Sequence, residues 1–270
     1  MRAEDRPAPI DSLDLPSLRD GSRRAIPWDD PVAPLDDARK QKLVHAWSWR
    51  REQEHLAVGS FSRLAYEAAA HGCEPATLAL LTRAATDEVH HADVCRRMVE
   101  KHTGRALPRT LQGVPRVASP RVRDADELLH TIVETCCLSE TLTGAYFTEM
   151  LEVAVDPLAH AVVLALLEDE IDHGRVGWAY LAAACRDGRA TSVAAALPEL
   201  LERTVADVFR DAREQPEPDD AELDRAGYLG RTRSARVYQD ALEKVILPGF
   251  DALDIETRAA RELARERGWL

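Results

Sequence analysis

Two short strings constrain this chain more than anything else in it: Asp87-Glu88-Val89-His90-His91 and Asp169-Glu170-Ile171-Asp172-His173. In a helix, a Glu and a His three residues apart lie on one face, a turn from each other. Apolar stripes flank both strings, so both pairs face a protein interior. A carboxylate buried without partners costs several kcal/mol, so each pair needs an answering group from a facing helix. One inward Glu on each of two facing helices completes a set of four carboxylates and two imidazoles. That set fits two bridged divalent ions inside an antiparallel four-helix bundle.

A single Glu-x-x-His means little. Roughly one is expected by chance from 23 Glu and 9 His in a chain of 270 residues. The sequence holds four: Glu52/His55, Glu88/His91, Glu127/His130 and Glu170/His173. Helical phase removes the first. Glu52 and Glu54 stand about 200° apart, and the Val58-Phe61 face selects Glu54. Depth removes the third. Glu127 falls in the first turn of its helix, where a carboxylate suits the macrodipole. It lies 29 residues before Asp156, while Glu170 lies only 14 after it. Glu140, 16 before that turn, matches the level of Glu170. The surviving set is Glu54, Glu88, His91, Glu140, Glu170 and His173.

Composition and turn signals place these residues on an all-α chain. Ala, Leu, Glu and Arg dominate and aromatics make up only 5%, a palette of packed helices rather than sheets. Asp36 or Asp37 caps a helix that runs to about Ala70 and ends at Gly72. Pro75 starts a second, lasting to Gly104. A loop with Pro108, Pro115 and Pro120 is long enough to cross over along the bundle. The third helix begins near Asp124, and Asp156-Pro157 turns into the fourth, which ends at Gly188. Residues 37–188 are therefore two helical hairpins, an internal repeat of about 80 residues with its Asp-Glu-x-x-His on each second helix.

Residues 1–36 hold six of the fifteen prolines and read as an extended arm on the bundle or on a partner subunit, anchored by Trp28 and Leu35; a disordered tail is the alternative. Residues 189–270 read as a C-terminal helical extension, with helices over 190–213, 232–246 and 254–267. It serves packing, a lid or the contacts of a homodimer. Arg231, Arg233 and Arg236 either gate a channel, bind an acidic group or start a solvated helix.

The formal charge of −12 and the lack of a basic run argue against nucleic acid and anionic membrane surfaces as partners. No apolar run approaches the roughly 20 residues of a membrane span. Five cysteines without a CxxC pair read as reduced thiols in a cytoplasmic protein.

On these residues the chain resembles the ferritin-like superfamily of di-iron carboxylate proteins, whose pattern is Glu, Glu-x-x-His, Glu, Glu-x-x-His. The resemblance covers about 45–185. The strings Glu54-His55-Leu56-Ala57-Val58-Gly59-Ser60-Phe61, Asp87 to Ala92, Glu140-Thr141 and Asp169 to His173 are similar to those of bacterial ferritin-like-domain proteins of poorly defined function. The resemblance implies that Glu54, His91, Glu140 and His173 are terminal ligands and that Glu88 and Glu170 bridge. It implies two iron ions, with Mn/Fe or Mn/Mn also compatible with these ligands. It further implies an oxidase or monooxygenase that uses O2 and an electron donor or reductase to oxidise C–H or N–H bonds of a small or carrier-bound substrate. A ferroxidase, a peroxide scavenger or a metal-storage protein is the alternative.

Seven further residues carry open expectations. Asp87 and Asp169 either accept the outer N–H of a ligating His across the bundle or face solvent. Thr143, near Glu140, either hydrogen-bonds a reacting oxygen or bonds back to its own helix. The small residues Ala84, Gly144, Gly174 and Gly177 either line a cavity or permit close packing.

Overall fold

A computed structural model describes residues 25–109 and 121–270. Among them there are helices and connecting segments and no strand. Helix α1 spans Asp37–Ala70, with Asp36 as its N-cap, and Gly72 follows at a φ of 71°. Helix α2 spans Pro75–Thr103 and ends on Gly104 at φ 68°. The third long segment is composite. It begins as α3 (Ala125–Ile132), behind a capping box in which Asp124 and Glu127 each answer the other's backbone N–H. It widens to a π-helical stretch, π1 (Val133–Glu140), and continues as α4 (Thr141–Val153). Helix α5 (Pro157–Arg186) follows the Asp156 cap. Each of these boundaries follows the capping and turn chemistry of the sequence; the π-helical stretch does not.

The four segments close a ring. α1 packs on α2, α2 on α5, α5 on π1 and α4, and α3 back on α1. Buried apolar side chains occupy the seam at both ends, with Phe61, Leu64, Leu81 and Ile132 on one side of the level of the motifs and Met98, Phe147 and Val163 on the other. The contact between α5 and π1 is the closest. A Cβ on Gly177 would stand 2.3 Å from Cys136 Cβ and 3.0 Å from its carbonyl carbon. Backbone would have to move. Gly177→Ala is therefore expected to lower unfolding stability by about 1–3 kcal/mol, read by chemical denaturation, because it pries π1 from α5.

The remaining chain wraps this ring. It forms α6 (Val193–Glu214), α7 (Ala221–Arg225), α8 (Arg231–Ala241), a second π-helical stretch π2 (Leu242–Ile246), α9 (Leu247–Asp251) and α10 (Arg258–Arg267). Its core is continuous with that of the ring: Leu197, Leu201, Val205, Ile246 and Phe250 pack with Val133, Leu138 and Leu181. α7, which the sequence reading lacks, sits on α1 and α4. The arginines at the start of α8 pin the extension in place. Arg233 reaches Glu149 (2.7 Å) and Asp224 (3.0 Å), and Arg236 reaches Asp219 (3.1 Å). Arg39–Asp220 (2.8 Å) and Lys42–Glu217 (2.7 Å) tie the same region to α1.

The described part of the N-terminal arm, from residue 25, lies on the ring. Trp28 packs under the Arg97 guanidinium at 3.9 Å and accepts a hydrogen bond from Lys101 Nζ at 2.7 Å, and Leu35 joins the same apolar cluster. Residues 1–24 and 110–120, with Pro115 and Pro120 of the crossover loop, lie outside the described residues. Among the described residues no helix is long and apolar enough to cross a membrane.

Candidate metal centre

Midway along the ring, where an apolar core would otherwise continue, six ionisable side chains meet. Glu88, His91, Glu170 and His173 are each at most 2% exposed, and Glu54 and Glu140 are also buried. They fall into two groups whose ligand atoms lie within 4.8 Å of one another: Glu54, Glu88, His91 and Glu170, and then Glu88, Glu140, Glu170 and His173. Glu88 and Glu170 belong to both groups. All six residues singled out by spacing come together from the four segments of the ring: Glu54 from α1, Glu88 and His91 from α2, Glu140 from the last position of π1, Glu170 and His173 from α5.

The carboxylates shared by both groups divide their oxygens between them. Glu88 presents Oε2 to His91 Nδ1 at 3.3 Å and Oε1 to His173 Nδ1 at 3.2 Å. Glu170 presents Oε1 to His91 Nδ1 at 3.5 Å and Oε2 to His173 Nδ1 at 3.4 Å. Metal–N and metal–O bonds of about 2.0–2.2 Å place neighbouring ligands of one ion about 3.0–3.5 Å apart. The observed separations fall in that range.

The donors converge without satisfying one another. Glu88 Oε2, His91 Nδ1, Glu170 Oε2 and His173 Nδ1 are fully buried and make no hydrogen bond. Orphaned buried polar atoms are rare in folded proteins. Here four of them, two from each motif, point into one small space, which is the arrangement two cations would complete. Nitrogen and carboxylate donors suit iron, manganese or zinc alike.

The outer face of each imidazole is held from the opposite hairpin. His91 Nε2 lies 3.1 Å from Asp169 Oδ2, and His173 Nε2 lies 3.5 Å from Asp87 Oδ2. Both aspartates are buried. They therefore take the cross-bundle place, and not the solvent-facing one. An N–H at Nε2 leaves Nδ1 as the lone-pair donor toward the cluster and fixes the ring plane. Asp169→Ala is expected to weaken the ion held by Glu54 and His91 by about 10–100-fold, measured by competition with a chromophoric chelator.

Two arginines absent from the sequence reading complete the electrostatics. Arg83 caps the aspartate side, with Nε 3.5 Å from Asp87 and Nη2 4.0 Å from Asp169 and 3.6 Å from Asp172. Arg50 sits on the other side, where Nη1 donates to Glu54 Oε1 at 3.5 Å. Both stand one helical turn before an acidic residue of the centre, at i−4, a spacing the sequence displays.

Without an ion, protons hold the cluster together. Burial opposes the charged form of His91, but Glu88 and Glu54 outweigh it and push the imidazole up to about 10. His173 is raised in the same way, against its burial, by Asp87, Glu170 and Glu88. Burial raises Glu54 to about 7 and Glu140 well above the ordinary carboxylate range, each helped by the neighbouring carboxylates. Glu88 is held low despite burial by His91 and His173.

The other sequence expectations resolve variously. Glu52 is exposed and Glu127 is spent on its capping box. Thr143 makes no hydrogen bond to the centre among the described residues; Thr141 instead accepts one from Trp178 Nε1 at 3.0 Å. Of the small residues, Ala84 is core and Gly177 permits close packing. A Cβ on Gly174 would stand an ordinary 3.5 Å from Thr141 Oγ1, and one on Gly144 would meet nothing within 4 Å. Compared with known proteins, the chain matches no family model, no curated protein and no solved structure.

Proposed function

We propose that this chain is a ferritin-like di-metal carboxylate protein that uses O2, an oxidase or monooxygenase acting on C–H or N–H bonds of a small or carrier-bound substrate. The observation that carries this is the pair of donor sets joined through Glu88 and Glu170, with four buried atoms facing inward unsatisfied. Glu54 and His91 would complete one position, Glu140 and His173 the other, and two iron ions are the first choice. A pair of redox-active ions bound here supplies electrons to O2.

The chain's own residues prepare the rest. Asp169 and Asp87 hold the imidazoles in the tautomer that leaves Nδ1 free. Phe61, its ring centroid 5.1 Å from that of His173, and the buried Cys95 and Cys136 keep the surroundings apolar. The wrapping helix α8 brings Tyr238 to the α4 side, and Trp178 of α5 packs against Phe250 of α9, which limits water. Glu54 and Glu140, each belonging to one donor set, are placed to accept or release a proton, because burial has already raised both.

The test is anaerobic loading with Fe(II), native mass spectrometry to count ions, then admission of O2. Two ions per chain and O2 consumption that ends after one turnover without a reductant support the proposal. Continued iron uptake into a mineral identifies the storage alternative, and a chain that takes up no ion refutes both.

A further inference from the structure

Arg50 is placed for more than a contact with Glu54. It is a guanidinium with five N–H donors whose side chain is only 16% exposed. Its polar partners among the described residues are Glu54 Oε1, at a long 3.5 Å, and the neutral Tyr146 hydroxyl. The rest of the group lies over aromatic faces, 4.5 Å from the Phe147 centroid and 5.2 Å from that of Tyr146. Stacking holds the guanidinium plane but engages its faces, and the contacts to Glu54 and Tyr146 leave most of the five edge donors unspent.

The groups around it are otherwise neutral. Burial keeps the Tyr146 phenol and the Cys95 thiol protonated, and burial with the nearby Tyr146 and Glu140 pushes the Tyr238 phenol up to about 12. Asp87 and Asp169 lie toward Arg83, beyond the imidazoles. Glu54 is thus the local countercharge, and a Glu54 that binds a divalent ion has its charge answered by that ion. Arg50 is then a buried cation without a countercharge, an expensive state. The same flank of the centre has room. Gly144 sits on the α4 stripe between Glu140 (i−4) and Phe147 (i+3), and the space its missing side chain leaves is open.

Resting on the di-metal proposal above, we propose that Arg50 anchors the carboxylate of a small monoanionic substrate on the Glu54–Glu140 flank, with Tyr146 and Tyr238 beside it and the space at Gly144 receiving the body of the molecule. One residual positive charge calls for one negative charge, which favours a carboxylate over a phosphate dianion. The fork of Arg donors matches a carboxylate in two parallel hydrogen bonds. The reacting carbon or nitrogen then faces the metal positions while its acid group stays fixed to α1.

The experiment uses full-length protein loaded with Mn(II), so that nothing turns over. Acetate, hexanoate and benzoate are titrated calorimetrically beside acetamide, hexanamide and benzamide, and native mass spectrometry counts the ions in each sample. At least one carboxylate is expected to bind about tenfold or more tightly than its amide, since a charge-assisted bond of this kind is worth that much. Arg50→Met, which keeps the stem over Phe147, is expected to erase the preference while still holding two ions; Arg50→Lys is expected to retain part of it. Equal binding of acids and amides, no binding of any acid, or an Arg50→Met protein that still prefers acids overturns the anchor alone. A wild-type chain that holds no ion overturns the di-metal reading and the anchor with it. An Arg50→Met chain that loses its ions assigns Arg50 to the metal positions, and likewise overturns the anchor.

Discussion

Glu88→Ala or Glu170→Ala is expected to empty both metal positions at once, whereas Glu54→Ala or Glu140→Ala leaves one ion in place. The asymmetry follows from how the oxygens are shared. Each of Glu88 and Glu170 turns one oxygen toward His91 and the other toward His173, at 3.2–3.5 Å. Losing either removes a donor from both groups. Glu54 and Glu140 each belong to one group only, so the other set of four stays whole. The loss from a shared position should exceed about 100-fold in affinity for each ion, above the range seen when a ligand's outer partner is removed. Native mass spectrometry after loading reads the outcome directly as two, one or no ions per chain. A Glu170→Ala protein that still holds two ions, or a Glu54→Ala protein that holds none, contradicts two cations joined through shared carboxylates. Circular dichroism separates loss of ions from loss of fold. The substitution should leave the helices intact, because the apolar seams on either side of the centre carry the packing.

Much of this site is legible in sequence because helices convert spacing into direction. Glu88 and His91 share a face by the 3.6-residue period, and Asp36, Gly72, Pro75, Gly104, Asp156 and Pro157 mark the ends that set the depth of each group. Phase separates Glu54 from Glu52, and distance from the Asp156 turn separates Glu140 from Glu127. The outer partners of the histidines were one of two open possibilities; only the packing of α2 against α5 shows Asp87 reaching His173 and Asp169 reaching His91.

What stayed hidden has a common cause. The π-helical stretch Val133–Glu140 arises from tertiary packing against Gly177 and α6, and no propensity of Val, Cys, Leu or Ser announces it. Three consecutive residues there, Cys136, Cys137 and Leu138, are wholly buried, because α6 and α5 enclose π1 from two sides. A narrow amphipathic stripe does not describe a segment buried on two sides, with only Glu134, Thr135 and Ser139 partly exposed. Arg50 and Arg83 were passed over because a long cation on a helix reads as a surface residue; their i−4 spacing to Glu54 and Asp87 becomes informative only once those acids are known to be inside. Thr143 itself is half-buried, and it is Thr141 that meets Trp178.

Removing metal should cost this protein more of its thermal stability than any other single treatment, and the cost should grow with pH. An ion that binds only the folded chain stabilises it by about 4 kcal/mol at a free concentration 1,000 times its dissociation constant. Two such ions, at about 2–4 °C per kcal/mol for a chain of this size class, raise the midpoint by at least about 10 °C over chelated protein. The pH dependence has a definite sign. In the metal-free fold Glu54 is raised from 4.5 to about 7 and His91 from 6.5 to about 10. A group raised on folding stabilises fully below its unfolded pKa, and that contribution disappears as pH climbs through the folded value. Metal-free protein therefore weakens between pH 6.5 and 8.5, as Glu54 completes its titration and His91 nears its own. The loaded protein moves the other way, because ligating groups must shed those same protons and ions bind more tightly as pH rises. The gap between the two melting curves should thus widen across that interval. Scanning calorimetry of Mn(II)-loaded and chelated samples at pH 6.5, 7.5 and 8.5 measures it. A constant gap would mean that the buried protons and the ions do not compete for the same atoms, and the convergence of Glu54, His91 and their neighbours would then need a different explanation.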